Sequence, residues 1–239
     1  VSKDLRVIII KFSDRLHNMR TIGYLPRNKQ KRIAIETRDL YAPLAHRLGM
    51  NIIKMEFEDL CFKTLNKIAY DKIKKDVNAT KKQRKKFINK FIEPILPELK
   101  KYNISTEPYG RAKHYFSIYK KVINKDKIVG ELYDLMAIRI VVHKIEECYA
   151  VLGLVHQLYT PVQNRFKDYI ATPKSNGYQS IHTTVFGKNG EMTEVQIRTF
   201  DMDKLAEIGI AAHWRYKEKV GKSSSVKDID KQIAWLREL

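Results

Sequence analysis

The feature that most constrains the fold is a change of texture near residue 104. Before it, apolar residues recur at helical spacing. In "DLRVIIIKFSDRLHNMRTIGYL" they fall at Val7, Ile10, Leu16 and Met19, and the pattern stops near Pro26. "KRIAIETRDLYAPLAHRLGM" repeats the pattern at Ile33, Leu40, Leu44 and Leu48 and ends at Gly49; Pro43 should kink or break it. "IIKMEFEDLCFKTLNKIAYDKIKKDV" is a further long amphipathic pattern, and "KKQRKKFINKFIEPILPELKKY" places Phe87, Phe91, Ile95 and Leu99 four apart. Its basic run, Lys81 to Lys86, reads as a solvated helix start. After residue 104 the pattern shortens. "ISTEPYG" reads as a short strand and turn, "RAKHYFSIYKKVI" as a helix, "LYDLMAIRIVV" as a β-branched strand and "EECYAVLGLVHQLY" as a helix. "HTTVFG" and "TEVQIRT" form two strands joined across "KNGE", a hairpin signal, and "MDKLAEIGIAAHWRYKEK" closes with a helix before a "GKSSSVKD" linker. Strands interspersed with helices predict a small mixed sheet flanked by helices, of class α+β or α/β.

Composition sets bounds on what such a fold does. Apolar residues make up 44% of the 239, enough for a packed core. No apolar run approaches the ~18 residues of a membrane span. With no signal-peptide pattern and a first residue that is Val, the chain reads as a cytoplasmic segment of something longer, with no membrane partner. Cys61 and Cys148 fit no CxxC pattern and read as reduced, buried thiols. Lys and Arg number 46 against 27 Asp and Glu, a net +19, which points to a polyanionic partner: nucleic acid, nucleotides or a phosphorylated surface.

Several stretches carry candidate chemistry. If "GRAKHYFSIYKK" is helical, Lys113, Ser117 and Lys121 stand at i, i+4 and i+8 in one stripe, successive members ~6 Å apart, a pitch that suits a di- or triphosphate. An ordinary amphipathic helix with solvated lysines reads the same way. Asp134 stands where a buried strand begins, a position suited to Mg²⁺, which needs only one or two protein carboxylates beside substrate phosphates; it could equally cap a turn. Arg139 lies inside an otherwise apolar strand and must find a partner or a planar ring. The two have opposite parity, so Asp134 precedes the regular pleat, or a bulge intervenes, or one assignment fails. In "EVQIRT", Glu194, Gln196 and Arg198 share one face, with Val195 and Ile197 on the other. Glu194 could join Asp134 at a metal or act as a base on a hydroxyl, or simply face solvent. "KSNGYQSIHTTV" adds Lys174, Asn176, Tyr178, Gln179 and His182: Gly177 permits a tight turn, Tyr178 offers a stacking ring, and Asn176 or Gln179 offers hydrogen bonds to a base edge.

Taken together, "GRAKHYFSIYKK", "YDLMAIRIVV", "RFKDYIATPKSNGYQSIHTTV", "EVQIRT" and "AAHWRYK" resemble, in order and spacing, the long RelA/SpoT-type alarmone synthetases of the bacterial stringent response. "FSDRLHNMRT" resembles the last motif of that family's metal-dependent HD hydrolase domain. The resemblance implies an α+β, nucleotidyltransferase-like mixed sheet preceded by an all-helical segment. It also implies a hydrolase remnant over residues 1–29, a helical connector over 30–100, a synthetase domain over 101–219, and a linker with the start of a following helix over 220–239. The implied reaction moves pyrophosphate from ATP to the 3′-hydroxyl of GDP or GTP with Mg²⁺. Carried over, Arg111 and Arg139 sandwich adenine, and Lys113, Ser117 and Lys121 grip the ATP phosphates. Asp134 ligates Mg²⁺, and Glu194 ligates metal or helps deprotonate the attacking hydroxyl. Tyr178 stacks on guanine, with Lys174, Asn176, Gln179 and His182 around the acceptor. Ala112 replaces a usual proline and Phe116 an often-found tyrosine, neither a proposed ligand. "RFKD", 165–168, matches the basic loop of bifunctional members, so a bifunctional parent is expected. The parent's hydrolase site would hold Mn²⁺ with Asp14, beside Asn18, and with ligands upstream; hydrolysis is expected to be lost in this segment. Ribosome or tRNA would be met only through other regions, and an oligomer is allowed.

Overall fold

The computed structural model describes residues 5–125, 136–187 and 190–209. The chain divides into two compact units, one made of residues 1–61, 175–177 and 204–239, the other of 62–174 and 178–203.

The first unit is helical. It contains α1 (Leu5–Arg20), α2 (Arg27–Glu36), α3 (Ala42–Arg47) and α4 (Asn51–Leu65) as far as Cys61. Phe12, Tyr41 and Phe57 form its aromatic centre, with ring centroids 6.0–6.2 Å apart in tilted and edge-to-face arrangements. Pro43 does not break this helical stretch. A π-helical turn, Thr37–Tyr41, joins α2 to α3, and the Ala42 N–H reaches back five residues to the Thr37 carbonyl. The ladder is reset there, so Pro43 falls in the first turn of α3, where no N–H is needed.

The second unit begins with the end of α4 and continues through α5 (Lys67–Ala79), α6 (Lys81–Ile92) and α7 (Ile95–Lys101). The Asn66 side chain caps α5 by accepting the Ala69 N–H at 3.2 Å. Then come β1 (Tyr109–Ala112), α8 (Tyr115–Lys125), β2 (Met136–Val142), α9 (Ile145–Leu158), β3 (Lys167–Asp168), β4 (Ile181–Phe186), β5 (Met192–Thr199) and the start of α10 (Phe200–Ile208). The strands form one mixed sheet in the order β1-β2-β5-β4-β3. β2 and β5 run parallel; the other neighbours are antiparallel.

Alternation along the strands decides which face is covered. Ile138, Ile140, Val142, Ile181, Val185, Val195 and Ile197 are fully buried and share a core with Cys148, Val151 and Val155 of α9 and Phe91, Ile95 and Leu99 of α6 and α7. Each such side chain contributes roughly 1.5–3 kcal/mol of burial, so a charge at Val151 would break the layer. Glu147 starts α9 by accepting the N–H groups of His143 and Lys144 at 2.9 and 3.0 Å. Tyr159 ends it: its ring stacks on Phe91 at 4.4 Å and its hydroxyl donates to the Phe91 carbonyl.

One expectation is corrected here. "RAKHYFSIYKKVI" is not helical from its start, and the strand placed in "ISTEPYG" lies later. Arg111 and Ala112 belong to β1, paired with Ala137 and Met136, and α8 begins only at Tyr115. Lys113 therefore lies in the connection, outside the helical stripe expected for it; Ser117 and Lys121 alone remain one turn apart on α8. Ladder pairing with β2, remote in sequence, outweighs the local helical pattern.

Candidate functional site

The face of the sheet opposite the aliphatic core collects polar groups from every strand. Residues opposite one another in a ladder share a face. One row crosses all five strands: Tyr109, Arg139, Gln196, His182 and Lys167. The next runs Arg111, Ala137, Glu194, Thr184. Arg198 lies beyond, opposite Val141. Register alone thus brings Arg111, Arg139, His182 and Glu194 onto one surface.

Glu194 sits at the centre of a connected polar chain. Its Oε1 accepts from Gln196 Nε2 at 2.9 Å and lies 3.3 Å from His182 Nδ1; its Oε2 lies 3.7 Å from Lys113 Nζ. Burial by itself would raise the carboxyl, but the hydrogen bonds from His182 and Gln196 and the Lys113 charge outweigh it and hold it down at about 2. A carboxylate only accepts, so His182 Nδ1 carries a hydrogen, and in the neutral ring Nε2 accepts from the Tyr178 hydroxyl at 2.7 Å. Burial is also the largest influence on the Tyr178 phenol and raises it, against the lowering by Arg198. Tyr178, His182 and Tyr169 meet edge to face, centroids 5.4–6.0 Å apart, and Lys174 Nζ stands 4.5 Å from the Tyr169 ring and 5.1 Å from that of Tyr178. Tyr169 was not singled out from the sequence; its ring gives no signal until the β3–β4 pairing brings it to His182.

Arg139 finds both things a buried arginine in a strand requires. Its Nη1 donates to Asp203 Oδ1 at 3.2 Å and to the Tyr109 hydroxyl at 3.4 Å, and its guanidinium lies 5.9 Å from the Tyr109 ring. Asp203, 64 residues away, is a second group that sequence reading did not find. A cavity of about 680 Å³, lined in part by Tyr109, Val141, His143, Phe200 and Asp203, adjoins this pair.

The remaining candidates are more scattered. Ser117 Oγ contacts the His114 ring at 3.0 Å, and Lys121 is half-buried on α8. Gln179 Nε2 donates to the Ile170 carbonyl, tying down its own loop. Asn176 belongs to the first unit, where its amide donates to the His46 carbonyl at 3.2 Å, beside Gly177 at φ 75°, the turn expected there. Asp134 lies outside the described residues, as does "AAHWRYK".

Residues 110–221 match the region found in RelA/SpoT proteins, and residues 1–51 match an HD domain. The whole chain is 49% identical to a GTP pyrophosphokinase of Streptomyces antibioticus, covering 30% of that protein. Over 99% of its length it is 47% identical to the bifunctional (p)ppGpp synthase/hydrolase SpoT of Escherichia coli K12, covering 34%. The chain belongs to the RelA/SpoT family. It spans about a third of the length of these curated relatives. The small alarmone synthetase 2 of Bacillus subtilis overlaps 68% of this chain and 86% of its own, at 24% identity and a TM-score of 0.39.

In this RelA/SpoT chain the polar sheet face falls wholly within the matched region except at Tyr109. Asp14 and Asn18 fall within the HD match, on α1, where Asn18 Nδ2 donates to Asp14 Oδ2 at 3.3 Å. Among the described residues no group of three or more His, Cys, Asp or Glu side chains could hold a metal ion. Asp14 offers one charged oxygen donor, fewer than a Mn²⁺ site needs. Glu194 fits Mg²⁺ by chemistry: it is a hard oxygen donor, ionised at neutral pH. No helix among the described residues is long and apolar enough to cross a membrane.

Proposed function

We propose that this chain transfers the pyrophosphoryl group of ATP to the 3′-hydroxyl of GDP or GTP, releasing AMP and forming the alarmone of the stringent response in the cytoplasm. The observation that carries the reading is the joint surface of Arg111, Arg139, His182 and Glu194, with Tyr178 joined to Glu194 through His182.

In this reading the 3′-oxygen of the acceptor attacks the β-phosphorus of ATP. The bond from that phosphorus to the α–β bridging oxygen breaks, and the hydroxyl proton leaves to a base or to water. Arg111 and Arg139 hold adenine, and Lys113, Ser117 and Lys121 neutralise the phosphates. Tyr178 presents its ring to guanine, and Lys174, Asn176, Gln179 and His182 surround the acceptor. Mg²⁺ held by Asp134 and Glu194 would screen the transferring phosphates. A carboxylate held at about 2 suits that holding better than it suits proton abstraction. Lys113 Nζ, 3.7 Å from Glu194 Oε2, places its positive charge beside the carboxylate that would hold the cation. Positioning two nucleotides on one rigid surface supplies most of the acceleration. The parent protein is bifunctional on this reading, and its ribosome or tRNA contacts lie in other regions; self-association is compatible with it.

The test is direct. The protein incubated with ATP, GDP or GTP and Mg²⁺ should yield AMP and the 3′-pyrophosphorylated product in equal amounts. No AMP above an enzyme-free control, at any protein concentration, overturns the proposal.

A further inference from the structure

Two buried arginines on the sheet face share one carboxylate oxygen. Arg139 on β2 and Arg198 on β5 are 2% and 1% exposed. Asp203 Oδ1 accepts from Arg139 Nη1 at 3.2 Å, from Arg198 Nε at 2.8 Å, and lies 2.6 Å from Arg198 Nη2. The Arg198 contact spans five residues and comes with the turn from β5 into α10; the Arg139 contact spans 64. Asp203 is in the first turn of α10, where a carboxylate is favoured by the helix dipole, so its placement needs neither arginine. The arginines, by contrast, are like charges removed from water, and each needs a counter-charge nearby. Each also touches a different half of the face. Arg139 lies by Tyr109 and Arg198 lies 5.9 Å from the Tyr178 ring.

We propose that Asp203 is a positioning residue that sets Arg139, on the donor side, and Arg198, beneath the acceptor tyrosine, in fixed relation. This rests on the pyrophosphoryl-transfer reading for its effect on substrates, though not for its effect on the arginines. Asp203 touches no reacting atom. Losing its charge lets both guanidiniums reorient, and the two nucleotide subsites loosen together. A carboxylate serving only the fold would lower the melting temperature and leave the substrate constants alone.

The experiment compares wild type with Asp203→Asn and Asp203→Glu by steady-state kinetics and by NMR of the arginine side chains, assigned with Arg139→Lys and Arg198→Lys. Asp203→Asn should raise KM for ATP and for the acceptor together by about tenfold, the scale of a lost charge-assisted hydrogen bond, while kcat stays within about threefold. Exchange-protected guanidinium signals of both arginines should disappear in Asp203→Asn and persist in Asp203→Glu. Unchanged arginine signals in Asp203→Asn, or a change in one KM alone, overturn the proposal. If wild type makes no AMP, the transfer reading fails by itself, and the arginine signals still decide the positioning. If Asp203→Asn does not fold, Arg198→Met decides: Asp203 should still protect Arg139, and loss of that signal overturns the shared arrangement.

Discussion

His182 Nδ1 approaches Glu194 Oε1 to 3.3 Å although the ladder pairs His182 with Gln196 and Glu194 with Thr184. The contact is diagonal, across β4 and β5, and a side chain as long as glutamate reaches it. Glu194→Gln keeps that shape and removes the charge. Turnover should fall by about 100-fold or more, with the far-ultraviolet circular dichroism unchanged. Asp134→Asn should act alike, and wild-type turnover of that variant at saturating Mg²⁺ would overturn the proposal that Asp134 holds the metal.

Tyr178 offers a ring and a hydroxyl, and two substitutions separate them. Tyr178→Ala should weaken acceptor binding by about 1–3 kcal/mol, the usual contribution of base stacking. Tyr178→Phe keeps the ring and loses the hydrogen bond to His182. Its acceptor affinity, measured by titration calorimetry, should stay near wild type; equal losses in both variants would assign binding to the hydroxyl.

The Glu194 carboxyl titrates at about 2 in the folded protein against an ordinary 4.5. A folded value below the unfolded one means that stabilisation is complete above about pH 4.5 and is lost as pH falls toward 2. Melting temperatures measured across that window should fall more steeply for wild type than for Glu194→Gln. Parallel curves would contradict the depressed value.

Burial pushes the thiols of Cys61 and Cys148 up to about 12. Both are free and buried, Cys61 with Sγ 3.3 Å from the Ala34 carbonyl. Iodoacetamide at neutral pH should therefore label neither in the native protein and both in denaturant, as read by mass spectrometry. Native labelling of Cys148 would mean that α9 opens from the sheet.

Lys81, Lys82, Lys85 and Lys86 are exposed on α6, and among the described residues none is in an ion pair. Any RNA bound there should be lost steeply with salt, by counterion release. Retention of RNA at moderate salt in a filter-binding assay would instead indicate a shaped site.

Much of this was legible in residue patterns because the relevant signals are local. The alternation of Val195 and Ile197 with Glu194, Gln196 and Arg198, the hairpin across "KNGE", and the apolar spacing of α9 each need only a few neighbours. What escaped depends on partners distant in the chain. Lys113 reads as helical until β2 pairs with β1, and Asp203 reads as an ordinary first-turn acid until Arg139 arrives beside it. Pro43 reads as a break because a π-helical turn leaves no mark in composition. The hydrogen bond from the Asn176 amide to the His46 carbonyl likewise spans 130 residues and leaves no local mark.

The alternation in β5 has one more implication. A slip of a single position would bring Val195 and Ile197 outward and drive Glu194 and Arg198 into the oil of α9. Misaligned molecules would thus be penalised twice, by wetted aliphatics and by stranded ions. The chain therefore has no low-energy way to be well packed yet chemically blank: whatever secures the greasy side of this sheet also proofreads the working side.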